Sequence, residues 1–307
     1  MARAKIGLAL GSGSARGWSH IGIIESLLEA GIEPDIVCGT SMGSLVGAAY
    51  VTGRMTPLRV WAEAVSWREI VGMLDIRLMR GGLMEGRQIM GFLRSLEMAG
   101  SIENATKPFA AVATDLMTGE EIWLTSGPIV DAVRASIALP GIFSPARVDG
   151  KWLVDGGLVN PVPVSVCRAL GADIVIAVNL NSDLIGRRVR GAILGRRQRS
   201  GPKARKDFLE RLKKQMPVAL RRPAGMLAPL LIERGESSPG YFDVLANSIY
   251  IMQDQITQAR LAAEKPDVVL SPALRNIGLL DFNRAAEAIA EGRACVARSL
   301  ADIRASL

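Results

Sequence analysis

The chain has 307 residues, 49% hydrophobic and 22% charged, enough apolar material for a full core, so intrinsic disorder is excluded as its main state. Its 32 Gly beside 6 Phe, 3 Tyr and 5 Trp suit tight strand-to-helix turns and offer little stacking surface for single-stranded nucleic acid, which argues against an RNA or DNA reader. The net charge of +7 is concentrated: 14 Lys and Arg stand against Asp207 and Glu210 between Arg187 and Arg222, a block that calls for an anionic partner or free solvation.

Lys5 to Leu10 reads as a first strand ending at Gly11, and a helix from Gly17 places Ile21, Ile24, Leu27 and Leu28 on one face until Gly31 stops it. Asp35 to Cys38 is a second strand, followed by the turn Gly39-Thr40-Ser41-Met42-Gly43 and a helix that begins with Leu45, Val46, Ala48 and Ala49. This βαβα order implies a parallel sheet with right-handed crossovers. Further strands are predicted at Phe109–Ala113, Glu121–Leu124, Lys151–Val154, Ile174–Val178 and Val268–Leu270. Further helices are predicted near Pro57–Ser66, Arg87–Leu96, Ile129–Ala138, Val162–Leu170, Tyr241–Ala263 and Phe282–Ile303.

No Pro/Gly/Ser-rich linker divides the chain, so one domain over 1–307 is expected, carrying a basic insertion at about 187–222. Cys38, Cys167 and Cys295 are too widely spaced for a disulfide framework or a Cys/His metal site. The run Ile6–Leu10 is too short for a signal-peptide core, and no apolar run approaches the roughly 18 residues of a membrane span. A soluble cytoplasmic protein is expected, with peripheral contact at the inner membrane surface left open.

Gly39-Thr40-Ser41-Met42-Gly43 is a GxSxG between a strand and a helix. In that setting the serine takes strained left-handed dihedrals, and the flanking glycines spare the neighbouring strand and helix a side chain. Ser41 Oγ then stands at the carboxyl edge of the sheet, where the unpaired amides at the start of the next helix favour negative charge. Gly11-Ser12-Gly13-Ser14-Ala15-Arg16-Gly17 admits two readings: a dinucleotide (NADP-type) loop with Glu33 or Asp35 as the ribose-binding acid, or an oxyanion hole of converging amides with the Arg16 charge beside it. The only histidine, His20, is assigned no catalytic role. Asp155 closes a strand before Gly156-Gly157, which leaves its carboxylate unobstructed near the sheet edge.

These residues resemble the patatin-like phospholipases, in particular the bacterial single-domain members. The resemblance runs through the glycine loop with Arg16-Gly17, Ser19-His20-Ile21-Gly22, the elbow Gly39–Gly43, Ala113-Thr114-Asp115-Leu116 with Thr118-Gly119, Arg134 to Phe143, and Asp155-Gly156-Gly157 followed by Asn160-Pro161-Val162-Pro163. It implies a three-layer α/β/α sandwich with a mostly parallel sheet, and a Ser-Asp dyad of Ser41 as nucleophile and Asp155 as base. It further implies an oxyanion hole from Ser12, Gly13, Ser14, Arg16 and Met42, with Gly39, Gly43, Gly156 and Gly157 in support. Neither cofactor nor metal is implied, and the substrate would be a phospholipid or lysophospholipid acyl ester. Ser12 and Ser14 stand where the family's loop carries glycine, so a catalytically silent scaffold is the further alternative. Met73, Met79, Met84, Met90 and Met98 read either as a pliable entrance for acyl chains or as helix core. Arg205 to Met216 reads either as an amphipathic helix lying on an anionic bilayer or as a solvated insertion.

Overall fold

In the computed structural model the described residues are 3–66, 69, 87–98, 100–182 and 241–307. Met1–Asp183 with Met252–Leu307 form one compact unit, which carries the whole sheet, and Leu184–Ile251 form a second. The basic stretch 187–222 and the methionines Met73, Met79 and Met84 lie outside the described residues.

The strands are β1 (Ile6–Leu10), β2 (Ile36–Thr40), β3 (Phe109–Asp115), β4 (Glu121–Leu124), β5 (Ala146–Val148), β6 (Lys151–Asp155), β7 (Ile174–Val178) and β8 (Val268–Leu270). They form one sheet with hydrogen-bonded order β5-β6-β3-β2-β1-β7-β8, and β4 pairs with β3. The pairs from β3 through β2, β1 and β7 to β8 are parallel, whereas β4 and β6 run antiparallel to β3 and β5 antiparallel to β6. The sheet is therefore mixed but mostly parallel. β5 was not among the predicted strands, because its three residues (ARV) carry no apolar period.

Two apolar layers explain why β1, β2 and β3 are buried along their whole length. Leu8, Leu10, Val37, Phe109, Ala111, Ile176 and Val178 point to one face, against α1 (Ser19–Glu29), α2 (Met42–Val51), α5 (Ile129–Ser136) and α8 (Ala285–Ser306). Also on this face are α3 (Met55–Ala64) and α4 (Arg87–Ser95). The alternate residues Ala9, Ile36, Cys38, Ala110, Val112, Val175 and Ala177 face α6 (Val164–Ala169) and Leu261 of α7 (Tyr241–Glu264). Helices on both sheet faces make the α/β/α sandwich. α1 ends as its glycine demanded: Gly31 sits at φ 75° while Ile32 N donates to Leu27 O and Gly31 N to Leu28 O.

The pairing around β3 positions the site. Ala113 and Thr114 pair with β4 on one edge and with β6 on the other. Ala111 and Val112 pair with that same β4 and, on the opposite edge, with β2. Strands β2 and β6 therefore share one edge of β3 and run toward each other, with Thr40 opposite Val112 and Asp155 opposite the next residue, Ala113.

Candidate active site

Ser41 joins the end of β2 to the start of α2 with φ 56° and ψ −122°, a left-handed conformation that costs a non-glycine residue on the order of 1–3 kcal/mol. Packing holds it there. Ser41 N donates to Ser136 Oγ at 2.9 Å, and Ser136 Oγ donates on to Val112 O at 2.6 Å, so α5 ties the elbow to β3. Ser44 Oγ and the Ser44 amide both donate to Ser41 O. A methyl group on Gly39 would lie 2.4 Å from the Gly43 backbone, and one on Gly43 would lie 2.0 Å from Leu10 O. Only glycine at both positions lets the turn close this tightly against β1.

Ser41 Oγ donates to Asp155 Oδ2 at 2.5 Å. The other oxygen, Oδ1, accepts from Gly157 N at 2.7 Å, and the Asp155 backbone is fixed by its N–H to Ala138 O and by Thr114 Oγ1 donating to Asp155 O. Burial pushes the Asp155 carboxyl up to about 6, against the opposing pull of the bonds from Ser41 and Gly157. A carboxylate titrating near the working pH is a far better base toward an alcohol than one at its ordinary value. Gly156 is required because its Cβ would lie 2.2 Å from the backbone atom Val112 O, and a Cβ on Gly157 would crowd the side-chain ends of Gln253 and Asp155, 2.4 Å from Nε2 and 2.9 Å from Oδ1.

The glycine loop lies against the elbow: a methyl on Gly17 would stand 2.3 Å from Met42 Cβ. Its amides divide into two sets. Ser12 N donates to Pro161 O, Ala15 N to Leu279 O and Arg16 N to Gly13 O. Among the described residues, the amides of Gly13, Ser14 and Met42 donate to no protein acceptor. Ser14 takes the left-handed conformation at φ 48°, so the serine at this glycine position adopts the backbone that the loop requires. Ser12 does not fit the role expected of it, since its amide is occupied and its hydroxyl donates to Gln253 Oε1. Arg16 is buried and binds the carbonyls of Gly13 and Leu180, so it braces the loop from within.

His20 Nε2 bonds Gly11 O at 2.8 Å, and complete burial lowers the ring's pKa to about 4, so the ring is neutral and buttresses the loop. The dinucleotide reading fails on position. The Asp35 carboxylate accepts from Ile6 N at the amino end of β1 and pairs with Arg3, while Glu33 pairs with Lys107. Both acids thus sit at the opposite end of β1 from the glycine loop. Among the described residues no three His, Cys, Asp or Glu side chains gather as a metal would need, and no helix is long and apolar enough to cross a membrane. Met90 and Met98 pack on or within the apolar core. Sequence reasoning missed Ser136 and Gln253: both are ordinary helix residues, and only the folded chain brings them to the elbow and the loop.

The patatin-like phospholipase family model matches residues 8–168. An uncharacterized NTE family protein of Mycobacterium tuberculosis is 33% identical over 330 aligned positions, covering 96% of this chain and 91% of its own length. Human patatin-like phospholipase domain-containing protein 6 is 34% identical over 184 positions, 58% of this chain but 13% of its own length. Among solved structures, VipD from Legionella pneumophila aligns over 97% of this chain and 66% of its own with a TM-score of 0.44 and 13% identity.

Proposed function

The chain belongs to the patatin-like phospholipase family, and from that membership we propose that it is a metal-independent serine hydrolase of phospholipid or lysophospholipid acyl esters, with Ser41 and Asp155 as its catalytic dyad. The observation that carries the reading is the 2.5 Å hydrogen bond from Ser41 Oγ to a buried carboxylate whose pKa is raised to about 6.

In the reaction, Asp155 takes the Ser41 proton as Oγ attacks the ester carbonyl carbon. The oxygen that becomes negative is received by the amides of Gly13, Ser14 and Met42, which among the described residues donate to no protein acceptor. Collapse of the tetrahedral intermediate expels the alcohol with the proton held on Asp155 and leaves the acyl group on Ser41. Asp155 then removes a proton from water, which attacks the acyl-enzyme, and the departing Ser41 Oγ recovers a proton as the fatty acid leaves. Loss of one anion-binding donor would cost on the order of 3 kcal/mol of barrier.

The test is fluorophosphonate labelling together with fatty-acid release from phospholipid and lysophospholipid. Wild type should label and turn over, Ser41→Ala should do neither, and Asp155→Asn should lose nearly all turnover while remaining folded. Labelling that persists in Ser41→Ala, or full turnover in Asp155→Asn, would overturn the dyad.

The same reading makes a lipid aggregate the natural partner. The 14 Lys and Arg between Arg187 and Arg222 supply peripheral attraction to an anionic bilayer. Binding to anionic vesicles should weaken with added salt and on deletion of 187–222; binding indifferent to both would remove this role.

A further inference from the structure

Gln253 lies in the middle of α7, far outside the family-matched residues 8–168, and it is buried, with 4% of its surface exposed. Its backbone is helical, with Thr257 Oγ1 donating to Gln253 O, and its side chain reaches the two loops that build the acyl-transfer site. On one side Gln253 Oε1 accepts from Ser12 Oγ at 3.4 Å, where the glycine loop leaves β1. On the other, Nε2 lies against Gly157, whose amide holds Asp155 Oδ1.

The closeness to the base follows from one point in space. A methyl group on Gly157 would stand 2.4 Å from Gln253 Nε2 and 2.9 Å from Asp155 Oδ1. Those two atoms therefore lie inside the ~4–6 Å range over which one charge moves another group's pKa. Among the described residues Nε2 donates to no protein acceptor, so its hold on the Gly157 turn is one of packing contact, while Oε1 makes the hydrogen bond to Ser12. Burial and the bonds from Ser41 and Gly157 are the causes acting on Asp155, with no charged side chain among them.

We propose that Gln253 is a positioning residue of the acyl-transfer site: its amide clamps the Gly157 turn, which holds the base, to the Ser12 end of the loop that receives the anion. The inference rests on the hydrolase function proposed above and adds a third element to it. β2 and β6 fix Ser41 to Asp155 through β3, but no strand pairing fixes Asp155 to the glycine loop, since β1 and β6 are not neighbours in the sheet. Gln253 bridges that gap from a helix. A misplacement of about 1 Å between base and anion hole costs on the order of a hundredfold in rate.

Two substitutions test it. Gln253→Met keeps the length and apolar stem but cannot hydrogen-bond Ser12. It should lower kcat about tenfold or more with KM within about twofold and an unchanged melting temperature. Gln253→Glu still accepts from Ser12 Oγ, yet sets a carboxylate beside Asp155. It should regain turnover at high pH while the acid limb of its rate profile moves up by about one unit. Wild-type kcat in Gln253→Met overturns the inference, as does an unmoved acid limb in Gln253→Glu; if the first variant fails to fold, the second decides alone. Ser41→Ala, assayed in parallel, separates the two levels: turnover that does not depend on Ser41 overturns the hydrolase function itself, whereas Ser41-dependent turnover indifferent to residue 253 overturns only the clamp.

Discussion

Ser41 and Asp155 meet because the strands that carry them are collinear: Thr40 pairs with Val112 and Asp155 with Ala113 along one edge of β3, and the two chains arrive head to head. One strand acts as a splint for both side chains. The 2.5 Å contact is set by successive residues of a hydrogen-bonded ladder, which is stiffer than any pair of side-chain rotamers.

Gly156 lets the splint fit, since its Cβ would lie 2.2 Å from Val112 O, a backbone atom that cannot step aside. Gly156→Ala should therefore push β6 away from β3 and lower kcat on the order of a hundredfold. Circular dichroism should show a folded protein with a reduced melting temperature. Near-normal kcat in a folded variant would mean that the dyad does not depend on this contact.

The raised Asp155 pKa gives the reaction an acid limb. The base must be ionised, so kcat/KM should fall about tenfold per pH unit below about 6 and level off above it. His20 titrates near 4 and is bonded to Gly11 O, so His20→Gln should leave the limb where it is. A limb that disappeared with His20 would transfer the base to the imidazole.

Ser136 links three parts of the site by accepting from Ser41 N and donating to Val112 O. Ser136→Ala leaves a buried amide and a buried carbonyl without that partner, at a cost of about 1–3 kcal/mol for each group stranded. Because one of them belongs to the strained serine, the melting temperature and kcat should fall together. Loss of stability alone would show that the elbow keeps its shape without this tie.

Ser41, Asp155 and the glycines around them were legible in the sequence because strained turns and close approaches leave a residue-type signature: Gly39 and Gly43 have no room for a side chain. The parallel strands were legible as apolar runs, since both faces of β1, β2 and β3 are covered. Predicted Phe109–Ala113 extends to Asp115, and predicted Lys151–Val154 to Asp155, because pairing with β6 and β3 respectively carries each strand past its apolar run. Other features were not written locally. Ser12 looks like a loop donor until the Pro161 carbonyl takes its amide, and Gln253 looks like a helix residue until α7 lays it across two loops. Both depend on contacts between residues far apart in the chain, about which composition and period are silent.

Two buried titratable groups, Asp155 and His20, should give stability opposite dependences on pH. Asp155 titrates at about 6 when folded and near 3.8 when unfolded, so between those values the folded protein holds the extra proton; this group's contribution is greatest at low pH and is lost as pH rises through the window. His20 titrates at about 4 when folded and near 6.5 when unfolded, so the unfolded chain holds the extra proton; its contribution is full above 6.5 and lost as pH falls toward 4. Each shift corresponds to on the order of 3 kcal/mol, and with the signs opposed the two largely offset each other between pH 4 and 6. Removing one exposes the other. Relative to wild type, Asp155→Asn should gain melting temperature as pH rises from 4 to 6, because the penalty for an ionised buried carboxylate is gone. His20→Gln should show the reverse, its melting temperature rising relative to wild type as pH falls from 6.5 to 4. Thermal scans of the three proteins across that range decide the matter: parallel curves would mean that neither group is held in its buried, shifted state.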